Sequence, residues 1–238
     1  MNMKKILDTE KFTLKKLRWW DIGIITIIMF GPAIISSTNI FCNTDPQVLE
    51  QGTEFSSSDN VIALCIQAIQ LFVAGAYLYF RKFDFLQWKF KITAKSTIFA
   101  VLLFLLVSAC MDVVNIAQTG VAWIPEYVTY NTLILGAFSE VNLSLVLFSL
   151  LNGIYEEIFF LGICTMVDKK YSMVAFVYSL VLRFSFHTYQ GIILALGIGA
   201  ILGVIYYIFY KKKSDNLYVY MLSHSFGDIF GLSVLHFL

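Results

Sequence analysis

Two adjacent glutamates, Glu156 and Glu157, interrupt the otherwise uncharged apolar run LFSLLNGIYEEIFFLGICTMV at positions 147–167. Hydrocarbon is a poor solvent for a carboxylate. On insertion scales an ionisable side chain at mid-span costs at least ~2.5 kcal/mol, so each one marks a candidate site. The same reasoning selects Asp112, Arg183, His187, His224 and Asp228, whereas Asp21, Glu140 and His236 fall near the ends of apolar runs and read as interfacial. A carboxylate with two imidazoles can hold a metal ion and activate water. Alternatively, a glutamate acts as general base while a histidine stabilises an oxyanion. Both routes suit hydrolysis of an amide bond in a water-filled cavity. The same residue types also fit a buried polar cluster that fixes helix packing, or the wall of a transport path.

Helical spacing sets where these groups can meet. Counted from the basic turn at Lys169, Glu156 lies roughly 20 Å and His187 roughly 27 Å along their helices at a rise of about 1.5 Å per residue. Counted from Lys213, His224 and Asp228 lie roughly 17 and 23 Å in by the same rise. All four therefore fit one layer in the middle of the bilayer. His224 and Asp228, spaced i, i+4, share a helix face. Glu156 and Glu157 are about 100° apart around theirs, so one is expected to face the cavity and the other to take a separate partner.

The elements that must position such a set are membrane helices. The 238 residues are 58% apolar and 14% charged, against roughly 25% charged in soluble domains, and the mean hydropathy is +0.75. Apolar runs of about 20 residues, long enough to cross ~30 Å of hydrocarbon, occur at 22–41, 61–80, 97–117, 141–167, 172–188, 192–210 and 217–238. The fifth is short. This pattern predicts an all-α polytopic membrane bundle of about seven transmembrane helices. No linker, repeat or low-complexity stretch divides it, so residues 1–238 read as a single membrane domain.

Basic residues orient the bundle. Lys4, Lys5, Lys11, Lys15, Lys16 and Arg18 precede the first run; Arg81, Lys82, Lys89, Lys91 and Lys95 follow the second; Lys169, Lys170 and Lys211 to Lys213 mark the remaining loops. The intervening connections, 42–60, 118–140 and 189–191, hold no Lys or Arg, and Arg183 is the one basic residue off this pattern. The positive-inside rule then places the N-terminus in the cytoplasm. Trp19 and Trp20 suit that interface. The first run is too long for a signal-peptide core of about 7–15 residues and reads as an uncleaved anchor.

The remaining features carry less chemistry. A net charge of +1 leaves no footprint for nucleic acid, and the basic clusters fit topology and anionic lipid. Cys42, Cys65, Cys110 and Cys164 form no CxxC pair and read as buried small hydrophobes, without a zinc ribbon or disulfide framework. The loop 43–60 reads as a polar surface segment. RKFDFLQWKFKITAK (81–95) alternates bulky apolar residues with Lys and reads as an interfacial amphipathic piece. Gly199 and Gly203 form a small-xxx-small face for close helix packing.

Order and spacing add a further signal. EEIFFL on the fourth run, RFSFHTYQG on the fifth and HSFGD on the seventh resemble the CPBP family of intramembrane proteases, the CAAX-protease and bacteriocin-processing (Abi) group. That family's motifs are EExxxR, FxxxH and HxxxN or HxxxD. The resemblance spans roughly 147–230 and makes 141–238 the catalytic helices. It implies a membrane endopeptidase with Glu156 as the base that activates water, Glu157 as its partner, and His187 and His224 as metal ligands or oxyanion stabilisers, with Asp228 completing the third motif. If a metal is used, a divalent ion such as zinc, its ligands would be Glu156, His187 and His224. Leu161 stands where the first motif has Arg, and Arg183 where the second has Phe. On adjacent antiparallel helices these positions can be neighbours, so Arg183 is expected to supply the missing guanidinium and pair with Glu157. Asp112 is the rival partner.

The implied protein is a multi-pass protein of the cell membrane, bacterial by its short chain, that cuts a membrane-associated peptide or protein in pheromone maturation, bacteriocin processing or self-immunity. A catalytically silent scaffold for an envelope protein or sensor kinase is the competing class. A transporter fits less well, because neither repeat symmetry nor paired Gly/Pro-broken spans is present.

Overall fold

The computed structural model describes residues 14–45, 56–119 and 141–235. Seven helices account for most of these: α1 Trp19–Asn43, α2 Ser57–Phe80, α3 Ala94–Thr119, α4 Leu143–Glu157, α5 Ser172–Ser185, α6 Ile192–Lys212 and α7 Leu217–Phe230. Each matches one of the expected apolar runs. The leader before Leu14, Glu140, His236 and most of the two connections at 46–55 and 120–140 lie outside the described residues.

Helix lengths differ from the expectation of seven spans. Among the described residues, five helices are long and apolar enough to cross a bilayer, α4 doing so with its continuation to Ile163. Helices α5 and α7 have 14 residues each, about 21 Å at 1.5 Å per residue, short of the hydrocarbon thickness. Both stop early for visible reasons. Helix α5 gives way at Phe186 to a tight turn over Thr188–Gln190, and Gly191 takes φ 90°, a conformation that favours glycine. Helix α7 ends at Gly231 with φ 77°.

Local sequence sets several boundaries. The Asn142 side chain accepts the Leu145 N–H at 2.9 Å and caps α4. Ser56 and Asp59 make a reciprocal capping box on α2. Immediately after Glu157 the α-helix widens into a π turn over Ile158–Ile163, and a second π turn, Gly197–Leu202, lies inside α6. Such turns recur at functional sites.

Packing sets α4 at the centre, with α7 and α2 against it and α3 against α7. Gly153 lets α4 and α7 approach closely. A Cβ there would lie 2.4 Å from the Met221 carbonyl and 2.5 Å from Ser225 Oγ. Gly199 and Gly203 bring α6 onto Phe184 and Leu180 of α5, as the small-residue spacing predicts. Two apolar clusters result. One joins α1, α2, α5 and the first π turn; the other joins α3, α6 and α7, and Ile158 packs against both.

The segment that follows α2 is a strap folded under the bundle. Phe83 is fully buried, Phe83, Phe85 and Trp88 pack ring to ring, and Trp88 Nε1 donates to the Gly162 carbonyl at 2.9 Å. Only Leu86, Phe90 and Ile92 keep the exposed apolar character expected along its length. Asp21, in the first turn of α1, has partners that its place near a span end does not announce. It is completely buried and accepts Arg81 Nε at 2.7 Å and the Tyr77 hydroxyl at 2.6 Å. Cys164 is buried as expected, but Cys42 and Cys65 are exposed and Cys110 is half-buried, because their helix faces lie away from the protein core.

Candidate active site

The polar residues singled out in the fourth, fifth and seventh runs converge at one buried centre. Glu156 and Glu157 end α4, Arg183 sits in the last turn of α5, His187 just beyond it, and His224 and Asp228 lie one turn apart on α7. Arg183 Nη2 donates to Glu157 Oε1 at 3.0 Å and Oε2 at 3.2 Å, and Nη1 donates to Glu156 Oε2 at 3.3 Å. The expected pairing of Arg183 with Glu157 is present. The expectation that the two carboxylates need separate partners is not met. Side chains about 100° apart at the backbone still reach one guanidinium, because its two terminal nitrogens serve two acceptors in a fixed fork.

Arg183 is 1% exposed. Its guanidinium lies 3.9 Å from the Phe160 ring centroid, a cation–π contact. Phe30 of α1 touches Tyr155, Phe159, Phe160 and Phe186, so an aromatic block backs the charged centre. A cation at the C-terminal end of α5 also meets the negative end of the helix dipole.

His224 closes the arrangement from α7. Its Nδ1 lies 2.7 Å from Glu157 Oε1; a carboxylate only accepts, so Nδ1 carries the proton. Nε2 faces Asp228 Oδ1 at 3.6 Å and Glu156 Oε2 at 3.8 Å. A proton or a cation on Nε2 would satisfy both oxygens. His187 is oriented differently. Its Nδ1 donates to the Arg183 carbonyl at 2.7 Å, which leaves Nε2 of the neutral ring as an acceptor. Asp112, the rival partner for Arg183, instead accepts the Val234 and Leu235 N–H groups at 2.8 and 3.2 Å through Oδ2. It ties the end of the chain to α3.

Asn152 and Gln67 belong to this centre although their sequence context does not single them out. Asn152 Nδ2 donates to Asp228 Oδ2 at 2.9 Å and to Glu156 Oε1 at 3.3 Å. Gln67 of α2 donates to Asn152 Oδ1 at 2.6 Å. The one signal available was spacing, since Asn152 lies four residues before Glu156 in an apolar helix. The contacts form a closed circuit: Arg183, Glu156, Asn152, Asp228, His224, Glu157 and back to Arg183.

Donor atoms of Glu156, Glu157 and His224 lie within 4.8 Å of one another, a set whose types and spacing fit a divalent cation. His187 is outside that group, turned onto the Arg183 carbonyl. Arg183 bonds the same two carboxylates, so a cation bound there would share them with the guanidinium.

The three motif-bearing helices fall within one family model. Residues 137–230 match the Rce1-like family, described as type II CAAX prenyl endopeptidase Rce1-like. The match is consistent with the CPBP/CAAX-protease family and supports an intramembrane endopeptidase. No curated protein and no solved structure gives a significant match. Within the matched segment lie both glutamates, Arg183, both histidines and Asp228, whereas Gln67 and the aromatic Phe30 come from the helices before it.

Proposed function

We propose that this multi-pass membrane protein is an endopeptidase that hydrolyses a peptide bond in a membrane-associated peptide or protein. The observation that carries the assignment of roles is the unequal hold on the two glutamates. Glu157 is gripped by Arg183 at 3.0 and 3.2 Å and by His224 at 2.7 Å, whereas Glu156 has contacts of 3.3, 3.3 and 3.8 Å. Short charge-assisted bonds fix an acceptor and long ones leave it available. Glu157 is the anchor, and Glu156 is the base that takes a proton from water as the water oxygen attacks the scissile carbonyl. The same proton then passes to the leaving amine as the C–N bond breaks. His224 holds Glu157 through Nδ1 and faces Glu156 and Asp228 through Nε2. His187, with Nε2 as an acceptor, suits holding a water hydrogen or a cation rather than donating to an oxyanion.

A divalent ion such as zinc, when bound by Glu156, Glu157 and His224, would make its coordinated water more acidic and polarise the carbonyl. Arg183 supplies fixed positive charge in either case. The charge arrangement that the first motif normally takes from its own arginine is here made by Arg183, which weakens the case for a silent scaffold.

On this reading the basic-residue pattern puts the N-terminus in the cytoplasm of a bacterial cell. Its substrate on this reading is a pheromone, bacteriocin precursor or self-immunity target rather than a prenylated protein. The test is cleavage of a panel of membrane-proximal peptides by detergent-purified protein, with Glu156→Gln and His187→Ala beside it. Cleavage lost in both variants supports the peptidase; a wild-type protein that cuts none of the panel while both variants keep the cellular phenotype supports the scaffold. Metal content and chelator sensitivity of the same preparation separate the metal-assisted route from the glutamate-only one.

A further inference from the structure

Asn152 is buried, at 8% exposure, on α4 one turn before Glu156. Its amide NH2 group has two N–H donors, and both face carboxylates: Asp228 Oδ2 at 2.9 Å on α7 and Glu156 Oε1 at 3.3 Å on its own helix. An amide can stand between two acceptors only with its nitrogen turned toward them. Flipped by 180°, the same side chain would aim its carbonyl oxygen at two carboxylates, an arrangement without any donor.

Gln67 reinforces the orientation that the carboxylates require. Its Nε2 donates to Asn152 Oδ1 at 2.6 Å from α2, a bond that exists only when the Asn152 oxygen points away from the carboxylates. Gln67 Oε1 is buried and has no partner among the described residues. Leaving a buried acceptor unmet costs about 1–3 kcal/mol, yet the alternative rotamer would set oxygen against oxygen at Asn152. The Gln67–Asn152 bond is thus held at the expense of the remaining acceptor. Tyr155, one turn along α4, lies 2.9 Å from Gln70 Oε1 one turn along α2. The α2–α4 contact is therefore a two-rung polar ladder and not a single fortuitous bond.

We infer that Asn152 is a positioning residue for the Glu156–Asp228 pair, and that Gln67 locks its amide in the orientation the pair requires. The inference rests on the peptidase reading above and assigns a task to α2, which lies outside the family match at 137–230. Neither residue touches substrate on this account. Asn152 acts by setting where the base and the third-motif carboxylate stand, and Gln67 acts only through Asn152.

The experiment compares Gln67→Met, Asn152→Leu and the double variant, near-isosteric changes that remove the amides. The readouts are kcat, KM and the thermal midpoint in detergent, with the cleaved peptide from the panel as substrate. Asn152→Leu is expected to lower kcat by ~10–100-fold, the usual effect of losing an outer-shell partner, with KM within about 3-fold, since the group lost is not one that binds substrate. Gln67→Met is expected to lose ~3–30-fold in kcat, and the double variant no more than Asn152→Leu alone, because groups acting in series are non-additive. Losses that multiply would overturn the inference, as would kcat falling only in step with the thermal midpoint, or a Gln67→Met enzyme with unchanged kcat. If the wild type cleaves no peptide, the peptidase reading fails instead. Proton exchange of the 15N-labelled Asn152 side-chain amide then decides the orientation lock, with faster exchange in Gln67→Met expected and unchanged exchange overturning it.

Discussion

Arg183 Nη2 stands 3.0 Å from Glu157 Oε1, across the gap between the end of α5 and the end of α4. The arginine of the first family motif would have lain one turn along α4, at the position of Leu161, which is 2% exposed and packs in the α3–α6–α7 cluster. Arg183 thus supplies from α5 the guanidinium that the motif resemblance would place at Leu161, an exchange between helices.

Removing that cation should unfold the centre. Arg183→Leu leaves two buried carboxylates without their shared partner, and breaking a buried pair on one side costs about 3–5 kcal/mol. The expected result is a strongly lowered thermal midpoint and no peptide cleavage. Arg183→Lys should recover only part of the stability, because one ammonium cannot span two acceptors as a fork does. Leu161→Arg combined with Arg183→Leu should recover more than Arg183→Leu alone. If Arg183→Leu matched the wild type in melting and cleavage, the exchange would carry no weight.

The two glutamates should separate by phenotype. Glu156→Gln is expected to lower kcat by ~10²–10⁴-fold, the range for loss of a general base, with the thermal midpoint within a few degrees. Glu157→Gln, which gives up charge-assisted bonds to Arg183 and His224, should lower the midpoint by more. Parallel melting and turnover measurements check this, and the reverse ordering would exchange the roles of base and anchor.

The α4–α7 crossing should be intolerant of a methyl group. Gly153→Ala would press a Cβ within 2.4 Å of a backbone carbonyl on α7, and overpacking of this kind costs about 1–3 kcal/mol. Because Glu157 and His224 meet across the same crossing, turnover should fall by more than the lost stability explains. Gly75, whose Cβ would meet nothing within 4 Å, is the control: Gly75→Ala should be close to neutral in both assays.

Asp112 should prove structural. Asp112→Ala removes the acceptor for the Val234 and Leu235 N–H groups, a loss of about 1–3 kcal/mol, with kcat unchanged among folded molecules. Asp112→Asn keeps an oxygen for those donors and should lie between Asp112→Ala and the wild type in thermal melting. A kcat loss in Asp112→Asn at full stability would instead give Asp112 a part in the chemistry.

Much of this was legible in the chain itself. Apolar runs specify helices because a segment in hydrocarbon must satisfy its own backbone, so seven runs gave seven helices. Glu156, Glu157, Arg183, His187, His224 and Asp228 stood out because charge and imidazole are costly in such runs. The i, i+4 spacing of His224 and Asp228 put them on one face, where both now meet the centre. Helix ends were less legible. The early stops of α5 and α7 depend on Gly191 and Gly231 taking positive φ, which an apolar count does not register.

Partners across helices were the least legible. Nothing in the sequence around Asp21 announces that the fold brings Arg81 and Tyr77 to it. Asn152 and Gln67, uncharged and 85 residues apart, carried no signal that they share a hydrogen bond.

The sequence by itself determined the membrane class, the helices and the set of costly polar residues, since each follows from local chemistry and a fixed helical period; the expectation of a cation near Glu157 came from the motif resemblance. Only the tertiary structure decided that Arg183 spans both glutamates, that Glu157 is held tightly and Glu156 loosely, and that α2 reaches the site through Gln67. Those facts depend on the rotation and depth of one helix against another. That register is set by the Gly153 contact, the π turn after Glu157 and the aromatic packing around Phe30, where a shift of about one ångström decides whether a bond is made.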